Sequence, residues 1–517
     1  MHHCDLIVAA LLISTWVSAQ APPIIEWQRN LGGSGNERGA SIQQTSDGGY
    51  VLCGETFSNN GDVSGNHGNS DVWVVKLDVL GNIQWQRCLG GVQFDYGRAI
   101  HEHPDGGYVV LGNTNSNNGD VSGNHGSSDI WLVRLDEGGA ITWQRCYGGS
   151  QTESAAALGP SLDGGFIIAG TSRSTDGDLN TNAGSTDFWI FKVDEQGGII
   201  WQYTYGGSSS DEMFDLATTA DGGCVVIGVS SSNDGDISGN HGGEYDAWVV
   251  KLDGSGALQW QRACGGSGSD FGLGISQRSD GAFVASARTN STDGDITDPI
   301  GANDLWTFVL SPSGELVTSG SYGGSGDDSG SSLASLANDG VLFFGSSRST
   351  DGDLSVNQGM VDGWFLRIDA DGAVRWSLAL GGSLSESFTS GIATLDGGYL
   401  ATGQSTSTNG DLPGNNGGGD VWVVKLGPDA VGIREAATDL GLEVHPNPCL
   451  ERLRVTSTCH ESGPLMWTIL DARGRVAAKG TMRGMTSDID VAALRPGVYA
   501  LALQCASGSA SIPFVKE

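Results

Sequence analysis

Carboxylates offer most of the chemistry in this chain, and they come in three series at fixed spacing. The first closes an Asn/Asp-Gly-Asp triplet: Asp62, Asp120, Asp178, Asp236, Asp295, Asp353 and Asp411. The second stands two residues before a tryptophan: Asp71, Asp129, Asp187, Asp246, Asp304, Asp362 and Asp420. The third lies four residues beyond a Gly-Gly pair: Glu37, Asp95, Glu153, Asp211, Asp270, Asp328 and Glu386. Calcium takes about six to eight oxygens in a flexible shell, so converging Asp and Asn side chains suit it. In the first repeat the candidate donors are Asn60 and Asp62, with Asn66 and Asp71 beyond. Across the repeats the first series supplies the candidate calcium residues. The spacing is not that of an EF-hand loop. The competing reading folds the same Asp and Asn back onto their own backbone as Asx-turns, with glycine in the left-handed region.

Catalysis would break the symmetry of such repeats, because one substrate needs one constellation. The main asymmetric feature is His101-Glu102-His103-Pro104. On a strand His101 and His103 share a face, which suits a metal pair, or simply an exposed polar strand end. His67, His125 and His241 fall in Asn-His-Gly turns and read as loop residues. There is no G-x-S-x-G elbow, P-loop or HExxH. No catalytic residue is assigned, and calcium is the one cofactor considered.

The elements that must position these acids repeat with them. Gly-Gly pairs begin at Gly32, Gly90, Gly148, Gly206, Gly265, Gly323 and Gly381, 58 residues apart and once 59. One unit reads as four strands: Gly39 to Gln44, Tyr50 to Gly54, Val72 to Leu77 and Ile83 to Gln86. They are rich in β-branched and aromatic residues and punctuated by Gly, Asn and Asp. Seven such units predict an all-β, seven-bladed propeller. The first piece, Ile24 to Gln28, is a fourth strand. The last, Val421 to Leu426, is a third strand with no fourth after it. The N-terminal strand is therefore expected to complete the last blade and remove an open edge. Trp73, Trp131, Trp189, Trp248, Trp306, Trp364 and Trp422 mark third strands. Trp27, Trp85, Trp143, Trp201, Trp260 and Trp376 mark fourth strands, with Thr318 in the missing place. Residues present in nearly every blade read as packing between blades. Alternate connections of an up-and-down blade emerge on one side, so all three acidic series are expected on one face of the disc.

The net charge of −34 over 517 residues excludes recognition of nucleic acid or anionic lipid by charge. Residues 1–19 read as a signal peptide: Leu6 to Val17 is apolar, and Val17-Ser18-Ala19 is a small-residue cleavage site. No other run is long enough to span a bilayer. Cys53, Cys88, Cys146, Cys224 and Cys264 sit in apolar strand contexts and read as buried thiols. Cys449, Cys459 and Cys505 cluster near the end, where one bridge can form. The propeller is expected over 20–427, a linker over 428–440 and a second domain over 441–517.

That second domain opens on Leu442-Glu443-Val444-His445-Pro446-Asn447-Pro448. It continues through Asp471-Ala472-Arg473-Gly474-Arg475 and Leu494-Arg495-Pro496-Gly497-Val498-Tyr499, to a basic end at Lys516. It resembles the C-terminal sorting domain of type IX secretion substrates of Bacteroidota, with His445 where that family usually has Tyr or Phe. The resemblance implies a small β-sandwich, engagement of the type IX machinery, and delivery to the cell surface or medium. The repeats also look like propeller-type repeats of secreted proteins from the same bacteria, some labelled endoglucanase. The sequence points to a non-enzymatic binding or adhesion module with an acidic loop face, its ligand a surface polysaccharide or a protein. The alternatives are an endoglucanase-like glycoside hydrolase and a purely structural coat protein.

Overall fold

Each repeat folds into strands because its apolar runs alternate with turns that only certain residues close. In the first unit β1 (Ile25–Leu31) precedes the repeat proper, which comprises β2 (Glu37–Gln44), β3 (Tyr50–Thr56), β4 (Asp71–Leu77) and β5 (Ile83–Leu89). The β2–β3 turn needs a positive φ, which Gly48 supplies at 82°. Strands β2 to β5 pair in order as one antiparallel sheet. The computed structural model describes residues 20–336, 338–354, 356–429, 443–445, 449–457, 465–471, 476–482, 484–495, 497–505 and 508–516. The signal segment 1–19, Pro446-Asn447-Pro448, Gly474-Arg475, Cys459 and all but the first two residues of the expected linker lie outside them.

Seven four-stranded sheets follow one another as the blades of a β-propeller. The last is assembled from Glu386–Ala393, Tyr399–Ser405, Asp420–Leu426 and β1. The register runs from Ile25 opposite Leu426 to Leu31 opposite Val421, so the first strand of the described residues closes the ring. Every residue of β4 is buried, since blades pack against both of its faces. The third-strand tryptophans are buried throughout. Their indole N–H donates to a fourth-strand side chain of the same blade, as from Trp73 to Gln86 at 2.9 Å and from Trp422 to Gln28 at 3.0 Å. Trp306 lacks that partner: Ser319, at the glutamine position, donates its hydroxyl to the Asp295 carbonyl at 3.1 Å, whereas Ser377 at the same position of its blade accepts from Trp364 at 2.9 Å. Fourth-strand tryptophans reach the neighbouring blade: Trp27 meets Tyr50 with ring centroids 5.7 Å apart, and Trp85 meets Tyr108 at 5.6 Å. The thiols of Cys53, Cys88, Cys224 and Cys264 are buried and free, and that of Cys146 is half-buried and free.

Contacts divide the chain into two compact units, after Asp429. The second is a sandwich. One sheet holds Glu443–His445, Arg452–Thr456 and Thr486–Asp490. The other holds, in spatial order, Val476–Met482, Leu465–Asp471, Gly497–Cys505 and Gly508–Lys516. Leu453, Val455, Ile469, Leu501, Leu503 and Phe514 form the core between them. No helix of the described residues is long and apolar enough to cross a membrane.

Candidate binding site

The three acidic series gather where β2 and β4 begin and β3 ends, on one side of each blade. Their chemistry differs from a displayed negative surface. The third series is fully buried. Each of its carboxylates accepts the N–H of the second glycine of the preceding pair at 2.7–2.8 Å, as Glu37 does from Gly33 and Asp328 does from Gly324. Thr56 also donates to Glu37 at 2.8 Å. The second series is equally buried and accepts a backbone N–H four or five residues upstream at 2.5–3.1 Å. The first series, from Asp62 to Asp411, accepts the N–H of the first glycine of the pair at 3.0–3.4 Å. Each of these aspartates returns its own N–H to that glycine's carbonyl at 2.8–3.0 Å.

The first-series aspartates thus clamp a turn about 30 residues upstream, while other side chains of the same loop fold back onto it, as Asn59 does in accepting the Gly65 N–H at 3.0 Å. Asn60 behaves like the aspartates, accepting from Ser34 at 2.8 Å. Asn66 donates to the Thr56 carbonyl at 3.2 Å and accepts from Gly68 at 2.9 Å. The expected oxygens of one loop are therefore spread over separate backbone partners. Among the described residues no three His, Cys, Asp or Glu side chains form a group arranged to hold a metal ion.

What the fold does bring together is one carboxylate of each series around a single glycine, at the seam between two blades. At Gly32 these are Asp420 of the last blade and Glu37 and Asp62 of the first. Asp71, Asp129, Asp187, Asp246, Asp362 and Asp420 each keep a buried Oδ1 with no hydrogen-bond partner among the described residues. Three seams bring in a histidine: His67 meets Asp71 at 2.6 Å, His125 meets Asp129 at 2.7 Å and His241 meets Asp246 at 2.9 Å. Burial works against the His125 cation, but the bond and charge of Asp129 outweigh it and raise its pKa. The sequence placed these histidines in loops without their partners. The Asn-His-Gly motif, four or five residues before the second-series Asp, was the available signal.

The seam at Asp420 has Asn416 in place of histidine. Burial, with the charges of Glu37 and Asp62 added, pushes the Asp420 carboxyl up to about 6. A folded pKa above the unfolded one means the folded state holds the proton more tightly. The contribution is present in full below about 4 and is lost as pH rises through 6. A shift of this size corresponds to roughly 2–3 kcal/mol. Asp420→Asn is expected to raise the melting temperature at pH 7.5 and to flatten its decline between pH 5 and 7.5. Its amide N–H₂ would face Glu37 while its carbonyl kept the Asn416 N–H. A lower melting temperature at pH 7.5 would show that the Asp420 charge stabilises the ring.

The ring's symmetry is broken elsewhere, on the wall of the central channel. In every blade the innermost strand carries a β-bulge, at the third residue after the third-series acid. A bulge re-aims the side chain it carries. The seven bulged residues are Ala40, Arg98, Ala156, Phe214, Leu273, Ser331 and Thr389, and all seven line both of two cavities of about 510 and 370 Å³. One cavity adds Arg38, Glu55 and Tyr96, and the other adds His101, Asp215 and Gln277. Burial pushes the Asp215 carboxyl up to about 6, although it accepts the Ile275 N–H at 2.9 Å.

His101 is not an exposed strand end. Its ring spans Gln43 at 2.9 Å and the Leu158 carbonyl at 2.8 Å, and burial lowers its pKa to about 4. His103 is buried and accepts the Asp105 N–H at 3.1 Å. Their ring nitrogens engage different neighbours, and neither belongs to a group of three metal-ligating side chains among the described residues. Sequence reading missed the bulge ring. Its signal was a position that varies from Ala to Arg to Phe inside an otherwise repeated strand.

Residues 443–517 match the family described as the secretion system C-terminal sorting domain. This segment is a type IX sorting domain, and the chain is directed to the cell surface or the extracellular space. The Regulatory protein FlaEY of Caulobacter vibrioides is 23% identical over 408 residues, covering 70% of this chain and 41% of that protein. The chain thus spans about two fifths of the length of this curated relative. Among solved structures, the extracellular domain of a putative one component system from B. thetaiotaomicron is 12% identical, with a TM-score of 0.39 over 96% of this chain and 57% of that one. The Neurospora crassa Pan2 WD40 domain is 11% identical, with a TM-score of 0.40 over 77% and 95%. Likenesses this distant carry no functional argument.

Proposed function

We propose that this type IX substrate is a non-enzymatic binding module that takes its ligand at the propeller channel. The observation that carries the reading is the bulge ring. It is the place where seven repeated blades present different side chains to a common cavity. The acidic collar repeats one structural role seven times and supports adhesion less than the sequence suggested, since two of its three series are buried. His101 does not offer the channel a free base, because it is bonded on both ring nitrogens and its pKa lies far below neutrality. A glycan array together with a reducing-sugar assay on the full secreted chain tests this. Saturable binding without product release is expected. Release of reducing ends from a polysaccharide would replace this reading with the glycoside hydrolase, and an absence of any ligand would favour a structural coat.

Calcium at Asp62, Asp120, Asp178, Asp236, Asp295, Asp353 and Asp411 is a separate proposal. A bound ion would complete its shell with water and backbone carbonyls. Millimolar calcium, against EDTA at matched ionic strength, is expected to raise the melting temperature, because a ligand of the folded state stabilises it. Changing Asp62, Asp120 and Asp178 to Asn should shrink that gain. Identical melting curves would leave the carboxylates as caps of the glycine turns.

A further inference from the structure

We infer that the bulge ring binds a small organic anion, its carboxylate on Arg98 and its apolar body against Phe214 and Leu273. This rests on the binding reading above and names the ligand class of that site. Arg98 is the one charged residue among the seven, projected into the channel by the bulge between Gly97 and Ala99. It makes no hydrogen bond or ion pair with any described residue. Its side chain is exposed to the channel, and the enclosing wall together with Arg38 nearby lowers its pKa, so an anion bound there would relieve the guanidinium. Glu55, opposite Arg38 in the β2–β3 register, acts on both guanidinium groups, so Arg38 and Arg98 together carry one positive charge more than the carboxylate they face. Asp215 spends a carboxylate oxygen on Ile275 N–H, and no ion pair joins it to Arg98.

The rest of the ring suits a body with an apolar face. Phe214 is 38% exposed although it belongs to an innermost strand, and Leu273 follows it one blade on. The other positions are Ala, Ser and Thr, which leave room. Cavities of about 510 and 370 Å³ fall in the range of small-molecule sites. A guanidinium fork on a carboxylate is both strong and oriented. An arginine placed so in a chain of net charge −34 selects the sign of the ligand against the overall field.

The test is calorimetric titration of the full secreted chain with 4-phenylbutyrate, its neutral amide 4-phenylbutyramide, and glucuronate. At least one of the two carboxylates should bind with one-to-one stoichiometry. Where 4-phenylbutyrate binds, the amide should bind roughly tenfold or more weakly, the factor that loss of a charge-assisted bond brings. Arg98→Gln should lose the same factor for any bound carboxylate, with a melting temperature close to the parent's because Arg98 makes no hydrogen bond or ion pair with the described residues. Phe214→Ala should weaken phenylbutyrate, while Ser331→Ala should leave it as it is. Tighter binding of glucuronate with the same Arg98 dependence would support the proposal and make an acidic sugar the source of the carboxylate. Equal affinity of acid and amide, or indifference to Arg98→Gln, would overturn it. If neither carboxylate binds but a glycan-array ligand holds equally to parent and Arg98→Gln, the anion proposal falls and the binding module stands. If nothing binds in either experiment, both fall.

Discussion

A chain lacking Ile24 to Asn30 is expected to lose the closed ring. The deletion removes the strand that pairs Ile25 with Leu426, Trp27 with Lys425, Gln28 with Val424, Arg29 with Val423 and Asn30 with Trp422. It also removes the Gln28 acceptor of the Trp422 indole and the Trp27 ring that packs on Tyr50 in the next blade. The strand Asp420–Leu426, buried along its length, would become an edge. Five lost strand pairs at about 1 kcal/mol per hydrogen bond, with the packing of one tryptophan, come to on the order of 5–8 kcal/mol. That is comparable to the whole stability of many domains. The expected result is a large fall in melting temperature with aggregation of the protein. Moving the same seven residues behind Leu426, through a short turn like Asp78 to Gly81, should restore both. A deletion that melts like the parent would mean that the ring does not depend on this strand.

The second large effect concerns one hydrogen atom. Gly32→Ala would place a methyl 2.5 Å from the Glu37 Oε2 and 2.6 Å from the Asp420 Oδ1. Neither carboxylate can swing away freely. Glu37 holds the Gly33 N–H and the Thr56 hydroxyl, and Asp420 holds the Asn416 N–H at 2.6 Å. Moving either one strands a buried donor, which costs about 1–3 kcal/mol on top of about 1–3 kcal/mol of overpacking. Elsewhere Gly→Ala often stabilises, by about 0.4–1 kcal/mol, through the unfolded chain. At Gly138 the new methyl would meet only the Asp136 carboxylate at 3.4 Å, and its φ lies outside the left-handed region. Paired denaturant melts should therefore separate the two variants by several kcal/mol, with Gly138→Ala near the parent. Similar stability for both would show that the seam yields more readily than its hydrogen bonds imply.

The collar shows where a repeat sequence is informative and where it stops. The 58-residue period, the β-branched runs and the stray fourth strand before the first Gly-Gly pair are local facts of the chain. They determine blade number, strand order, ring closure and the buried tryptophans, because each blade repeats the same short-range pairing. The Pro-Asn-Pro and Gly-x-Tyr motifs did the same for the sorting domain. The side of the disc on which the acids gather was also legible, since strand direction decides it.

Their burial was not. A carboxylate in a loop and a carboxylate in a seam have the same sequence. Only the packing of Asp420 against Glu37 and Asp62, residues from opposite ends of the propeller, distinguishes them. The bulge ring depended on tertiary structure for two reasons. An innermost strand of eight residues, such as β2, pairs with a neighbour of seven, and only variation from blade to blade marks the residue left over, with nothing to say where it points. The side chains so released, from Arg98 to Phe214 and Leu273, face one another only because seven blades close into a ring. That closure brings residues separated by two or three whole repeats to the wall of one cavity.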